Sequence, residues 1–294
     1  MTCLTPAKIR LNSGDIPSAI AKPKRRSSTC RREPRTVDLE LKGRVAVVTG
    51  GSSGIGAAVV DLLQQEAACP VIWDLQEPLS SGPAAPFLNT DVSDESSVTA
   101  AWRQTLHKFG EPEILVHCAA IGSGCFGFPW YNVPASAWEK TLQVNIMGMT
   151  HVATVAGRFM AEKQRGAMVF LSSVAGQIGS RTDPPYSASK AANINFAQCL
   201  AQDLAPAGVR VNTVCPGMVR TPLNQSVWKS WAEQQQADTS YDDWATEKIG
   251  QVVPLGRWQK AEDVANAIVF LCSKRAGEIT GQTINVDGGF VMHS

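Results

Sequence analysis

No apolar stretch in the 294 residues approaches the 18 or more needed to cross a bilayer, which excludes a helical integral membrane protein. There is no Cys-x-x-Cys pair among the eight cysteines. The four histidines, His107, His117, His151 and His293, have no zinc-type spacing, so no catalytic metal is expected. Several cysteines sit in apolar segments, such as Cys215 after Val214 and Cys272 after Leu271, where a thiol acts as a small hydrophobe. That usage fits a reducing compartment, the cytoplasm, better than a disulfide framework. The body of the chain also lacks a basic surplus. Residues 1–36 hold nine Lys/Arg against two acids, which leaves eighteen against twenty-four for the rest, so nucleic acid is not an expected partner.

The first 36 residues lack the apolar stretch of a secretory signal, and Pro6, Pro17, Pro23 and Pro34 break helices. They read as a disordered basic extension, with an organelle transit peptide or a partner-binding arm as alternatives. Residues 37–294 read as one domain, with no internal repeat. At 44% hydrophobic and 18% charged, the chain can bury a full core.

From Arg44 onward, strand and helix signals alternate. Val45–Val48, Pro70–Asp74, Phe87–Asp91, Ile114–Cys118, Met168–Leu171, Val209–Val214 and Gln282–Val286 read as strands. Helical spacing follows Ile55, runs to about Phe109, spans roughly Ala135 to Lys163, and recurs over Tyr186–Ala205 and Ala261–Ser273. Repeated βα units predict an α/β fold, a doubly wound parallel sheet of Rossmann type.

Four features stand in register on this scaffold. Thr49-Gly50-Gly51-Ser52-Ser53-Gly54-Ile55-Gly56 follows the first strand, a Gly-rich turn whose backbone N–H groups and helix dipole suit a pyrophosphate. Asp74 ends the second strand, where a carboxylate accepts hydrogen bonds from ribose hydroxyls and repels a 2′-phosphate. No Arg or Lys occurs at residues 51–53 or just after Asp74, so NAD is expected rather than NADP. Tyr186 and Lys190 are one helical turn apart, which places the ammonium near the phenol and is expected to lower its pKa. Ser173 lies thirteen residues before Tyr186, and Asn145 twenty-eight before Ser173.

These motifs in this order resemble the short-chain dehydrogenase/reductase family, in its subclass of about 250 residues, from about Leu39 to the C-terminus. The resemblance implies a catalytic set of Asn145, Ser173, Tyr186 and Lys190. Ser173 would hold the substrate oxygen, Lys190 would also bind the nicotinamide ribose, and Asn145 would serve a proton relay through water. It also implies cofactor contacts from Asp91, Val92, Ala119, Tyr186, Pro216, Gly217, Val219 and Thr221. Where the family usually has Asn-Asn-Ala-Gly, this chain has His117-Cys118-Ala119-Ala120, and His117 is expected to be a hydrogen-bonded core residue that either replaces the asparagine's tie between central strands or alters the local geometry.

The stretch from about 221 to 258 is expected to be a substrate lid, with Trp228, Trp231 and Trp244 on the substrate and Trp130 and Tyr131 facing it. Packing of these tryptophans on the body is the alternative. An aromatic lid suggests a hydrophobic or cyclic substrate. The resulting expectation is an NAD-dependent oxidoreductase interconverting a secondary alcohol and a ketone. A thioester reductase or dehydrogenase is the alternative within the family, and an NAD-sensing regulator without turnover is the alternative outside it. The apolar Val144, Met147, Val152, Val155 and Phe159, with the family's habit, point to a homotetramer or a homodimer.

Overall fold

The computed structural model describes residues 37–78, 85–127, 129–180 and 182–292. The basic extension expected over residues 1–36 lies outside them. Residues 39–294 form one compact unit.

Seven strands make one parallel sheet in the order β3-β2-β1-β4-β5-β6-β7. They are β1 Val45–Thr49, β2 Cys69–Asp74, β3 Phe87–Asn89, β4 Pro112–His117, β5 Gly166–Leu171, β6 Val209–Pro216 and β7 Thr283–Val286. The central strands are continuous apolar runs because both faces are covered, and the two-residue period divides each run between two cores. Ala46, Val48, Ile114, Val116, Val169 and Leu171 pack on one side with α1 (Gly54–Gln65) and α8 (Ala261–Cys272). Val45, Val47, Leu115, Met168 and Phe170 pack on the other, with α2 (Glu95–Phe109), α4 (Gly148–Glu162) and α5 (Pro184–Leu204).

The chain winds one way from β1 to β2 and β3, and the other way from β4 onward. The crevice past the C-terminal ends of β1 and β4 is therefore the topological switch point, where such sheets bind ligands.

The helix expected to run unbroken from Ala135 to Lys163 is interrupted. After α3 (Ala135–Leu142), residues Gln143–Met147 form a π turn, closed by the Gly148 N–H to the Gln143 carbonyl, before α4 begins. The wider turn carries Asn145, which is fully buried. Of the apolar residues expected to mediate assembly, Val152 is buried in this chain's own core, and Val144, Val155 and Phe159 pack partly against it; Met147 is exposed. No helix of the described residues is long and apolar enough to cross a membrane.

Candidate active site

A cleft of about 890 Å³ opens at the switch point. Its cofactor end begins where β1 turns into α1. Gly50 takes the left-handed conformation (φ +66°), and a Cβ there would lie 2.8 Å from the Ala119 nitrogen. A Cβ on Gly56 would lie 2.0 Å from the Gly50 oxygen, so the turn closes only with glycine at both positions. Ser53 caps α1 by backbone conformation alone, with no side-chain hydrogen bond and no acid in the first turn. The first N–H groups of α1 are thus left to an anion, and the helix dipole favours one. At the end of β2, one carboxylate oxygen of Asp74 accepts from the Ser52 N–H at 3.1 Å and the other from the Gln76 N–H at 3.2 Å. The glycine turn and Asp74 are thus held in one piece. A dinucleotide fits this cradle, with α1 for its pyrophosphate and Asp74 for its adenosine ribose.

The chemical end is set by α5. Asp183 caps that helix, accepting from the Tyr186 N–H at 3.2 Å, and Pro184 and Pro185 fill the first helical positions, where a missing N–H costs nothing. The other Asp183 oxygen accepts from the Ser123 N–H at 2.8 Å, which ties the loop after β4 to the start of α5. Ser173 follows β5, and its loop lies directly against α5. A Cβ on Gly176 would sit 2.6 Å from the Lys190 carbonyl carbon. Ser172 Oγ donates to the Lys190 carbonyl at 2.7 Å, and Lys190 Nζ returns a hydrogen bond to the Leu171 carbonyl at 2.7 Å.

Ser173 Oγ accepts from the Ala175 N–H at 3.1 Å, and its hydroxyl draws the Tyr186 phenol pKa down. The surrounding protein nevertheless pushes it above the ordinary tyrosine range, although the side chain keeps partial access to solvent through the cleft. The expected lowering by Lys190 is not what this arrangement gives. Its ammonium lies 5.5 Å from the centre of the tyrosine ring, directed at Leu171, and burial lowers its own pKa to about 8. Desolvation is the largest influence on each of the two groups.

Of the residues expected at the cofactor and the chemistry, all line this cleft except Ser52, which holds Asp74 from behind, and Asn145. Asn145 Oδ1 accepts from the Ile121 N–H at 2.8 Å, while its Nδ2 donates to the Ile121 carbonyl at 2.9 Å and to Ser189 Oγ at 2.9 Å. Ser189 Oγ donates in turn to the Tyr186 carbonyl at 2.7 Å. With its amide oriented to satisfy its neighbours, Asn193 donates to the carbonyls of Asn145 at 3.1 Å and Ser189 at 3.2 Å. Asp183, Ser189 and Asn193 were not expected from the sequence. Only Asp183 had a legible signal, an N-cap acid before a Pro-Pro helix start.

His117 is buried and bonded through Nδ1 to Thr49 Oγ1 at 2.8 Å, tying β4 to β1. Thr49 Oγ1 also accepts from the Ala119 N–H at 3.2 Å, so the same hydroxyl holds the loop after β4. This is the structural role expected of the histidine. Burial lowers its pKa to about 3, with the Lys190 charge adding to the effect, so it is neutral at pH 7. Between about pH 6.5 and 3 the unfolded chain takes a proton that the folded chain refuses, so stability falls with pH. Each unit costs about 1.4 kcal/mol. Urea unfolding at pH 7 and pH 5 should show wild type losing about 2 kcal/mol more than His117→Asn; parallel losses would contradict it.

The tryptophans expected on the substrate are elsewhere. Trp228 and Trp231 on α6 (Pro222–Gln235) and Trp244 on α7 (Tyr241–Val252) do not line the cleft. Trp228 Nε1 donates to the Thr239 carbonyl at 3.2 Å, and its ring lies edge-on to Tyr241. Trp231 and Tyr241 both pack on Trp244, and Trp258 on Tyr241, so the rings join α6 to α7. The two helices present Leu223, Asn224, Val227 and Lys248 to the cleft instead. Trp130 and Tyr131 are about 70% exposed and also lie off it.

The family model described as enoyl-(acyl carrier protein) reductase matches residues 50–291. The chain belongs to the short-chain dehydrogenase/reductase family, and it is an oxidoreductase acting on CH–OH groups. It is 35% identical over 255 residues to a cis-4-hydroxycyclohexanecarboxylate dehydrogenase of Sinomonas cyclohexanicum, across 84% of this chain and 96% of that protein. A 3-oxoacyl-[acyl-carrier-protein] reductase of Thermotoga maritima is 30% identical, across 86% of this chain and the whole of that protein. The ligand-free aldohexose dehydrogenase of Thermoplasma acidophilum superposes with a TM-score of 0.78 at 27% identity, covering 88% of this chain and 98% of that one.

Proposed function

We propose that this chain is an NAD-dependent dehydrogenase of secondary alcohols, acting on a hydrophobic or cyclic substrate. One observation carries the reading: Ser173, Tyr186 and Lys190 meet in the cleft whose other end is the glycine cradle and Asp74. The nicotinamide cofactor supplies the hydride acceptor when bound. Ser173 Oγ holds the substrate oxygen beside Tyr186, and Tyr186 Oη takes the hydroxyl proton as the carbinol hydrogen leaves as hydride. Lys190 offers positive charge beneath the phenol and a donor to the ribose. Asn145 holds the loop at Ile121 and carries the path by which the proton reaches water.

The apolar lining from Leu223, Val227, Ile178 and Phe290, together with the likeness to a dehydrogenase of a hydroxycyclohexane acid, supports a cyclic substrate. A second reading, reduction of a 3-oxoacyl thioester, draws on the likeness to the Thermotoga reductase. Assembly as a homotetramer or homodimer and residence in the cytoplasm belong to the same proposal. Exposed Met147 supports the first, and the unpaired thiols among the described residues the second.

Asp74 is the test of cofactor choice. The enzyme should use NAD in preference to NADP, and Asp74→Ala should narrow that preference by about ten-fold or more, since ribose hydrogen bonds and repulsion of the 2′-phosphate go together. Comparison of kcat/KM for the two cofactors reads it. An unmodified enzyme that already prefers NADP would refute the assignment.

A further inference from the structure

Among the described residues three cations line the cleft: Lys190, Lys140 and Lys248. Lys190 is spoken for by the Leu171 carbonyl, and Lys140 is exposed at the rim. Lys248 is different. It rises from α7, and its ammonium lies 4.7 Å from the ring centre of Trp244, a buried residue of the aromatic cluster. Among the described residues no carboxylate pairs with it, and burial lowers its pKa. An aromatic face replaces only part of the hydration that a lysine loses in such a place. A half-buried lysine on the cleft wall, with no carboxylate partner among the described residues, is poised for an anion. The cofactor's pyrophosphate already has the uncapped N-terminus of α1. The same cleft is lined with apolar side chains, among them Leu223 and Val227 of α6 and Phe290.

We propose that Lys248 pairs with a carboxylate carried by the substrate, at the end of an apolar ring or chain whose carbinol reaches Tyr186. This rests on the oxidoreductase reading and narrows it to hydroxy acids whose two polar ends are separated by an apolar body. Val227 and Phe290 cover that body, Lys248 fixes its direction, and the Trp244 ring holds the ammonium in place. Selectivity then comes from the far end of the substrate, and the neutral analogue of the same ring is a poorer substrate because it leaves Lys248 without a partner.

The full-length enzyme saturated with NAD is assayed on cis-4-hydroxycyclohexanecarboxylate and on 4-methylcyclohexanol, as wild type, Lys248→Met and Lys248→Arg. Wild type should favour the acid in kcat/KM by about ten-fold or more, mostly through KM. The methionine variant should bring that ratio to about one, and the arginine variant should keep most of it. The acid's preference surviving in Lys248→Met would overturn the proposal. So would an equal loss on both alcohols accompanied by a raised KM for NAD, which would assign Lys248 to the cofactor. Tryptophan fluorescence gives a readout independent of turnover, since Trp244 lies under the ammonium. Cyclohexanecarboxylate should quench wild type saturably, and Lys248→Met at least ten times more weakly. Quenching without turnover of either alcohol would sink the dehydrogenase reading and leave Lys248 as an acid-binding residue; no quenching difference would sink Lys248 itself.

Discussion

Tyr186→Phe removes one oxygen and should cost roughly 10²–10⁴-fold in kcat, the range of a positioned acid–base group. Affinity for NAD should stay within about two-fold, because the expected cofactor contacts lie in the glycine turn, Asp74 and Lys190. The backbone reasons for expecting an intact fold are specific. The Asp183 cap binds the Tyr186 N–H and Ser189 binds its carbonyl, and neither bond involves the phenol. The raised phenol pKa sharpens the expectation, since a tyrosine that resists ionisation in the unliganded cleft must be assisted by Ser173 and the bound substrate. Stopped-flow nicotinamide absorbance separates the rate from a fluorescence titration of cofactor. Near-wild-type turnover in the phenylalanine variant would remove Tyr186 from the chemistry.

Lys190→Met should damage both steps. The methionine keeps most of the buried stem but removes the ammonium, so the Leu171 carbonyl loses its partner and the phenol loses the positive charge 5.5 Å from its ring centre. A charged hydrogen bond to the ribose contributes about 1.5–3 kcal/mol, so NAD affinity should fall by roughly ten- to hundred-fold, and kcat by about a hundred-fold or more. The pH response has a fixed sign. With its folded pKa lowered to about 8, Lys190 carries its charge below that pH and loses it above, so cofactor affinity in wild type should weaken as pH rises through about 8. Lys190→Met should bind NAD weakly and without that pH dependence. A variant with the wild-type pH response would assign the titration to another group.

The sequence carried the sheet well because each strand is a short apolar run closed by a turn, and all seven expected strands are present. The positions of α1, α2, α5 and α8 followed from spacing, whereas α6 and α7 lie in the stretch expected only as a lid. What it could not carry is the choice of surface an aromatic face packs against. Trp228 and Trp231, three residues apart, share one side of α6, but only the folded chain shows that this side meets Tyr241 and Trp244 and not the cleft. The π turn at Asn145 was equally hidden, since a five-residue widening leaves the apolar period almost unchanged. Asn145, Ser173, Tyr186 and Lys190 were legible as a set by order and spacing. Their environment was not. The raised phenol and lowered ammonium arise from burial contributed by segments distant in sequence. Lys248 was invisible for the same reason, because nothing in its neighbours along α7 tells that this residue lines the cleft.

The central claim is that this cleft oxidises a secondary alcohol by hydride transfer to NAD, with Tyr186 taking the proton. The most direct measurement mixes the full-length protein and NAD with cis-4-hydroxycyclohexanecarboxylate bearing deuterium on the carbinol carbon, and follows reduced nicotinamide and the position of the label. The account predicts that reduced cofactor forms, that the deuterium is found on its nicotinamide ring, and that Tyr186→Phe forms it at least a hundred-fold more slowly. NAD bound tightly with no reduced cofactor formed, from this acid or from a panel of cyclic and acyclic alcohols, would contradict it and leave a protein that binds the dinucleotide without turning it over.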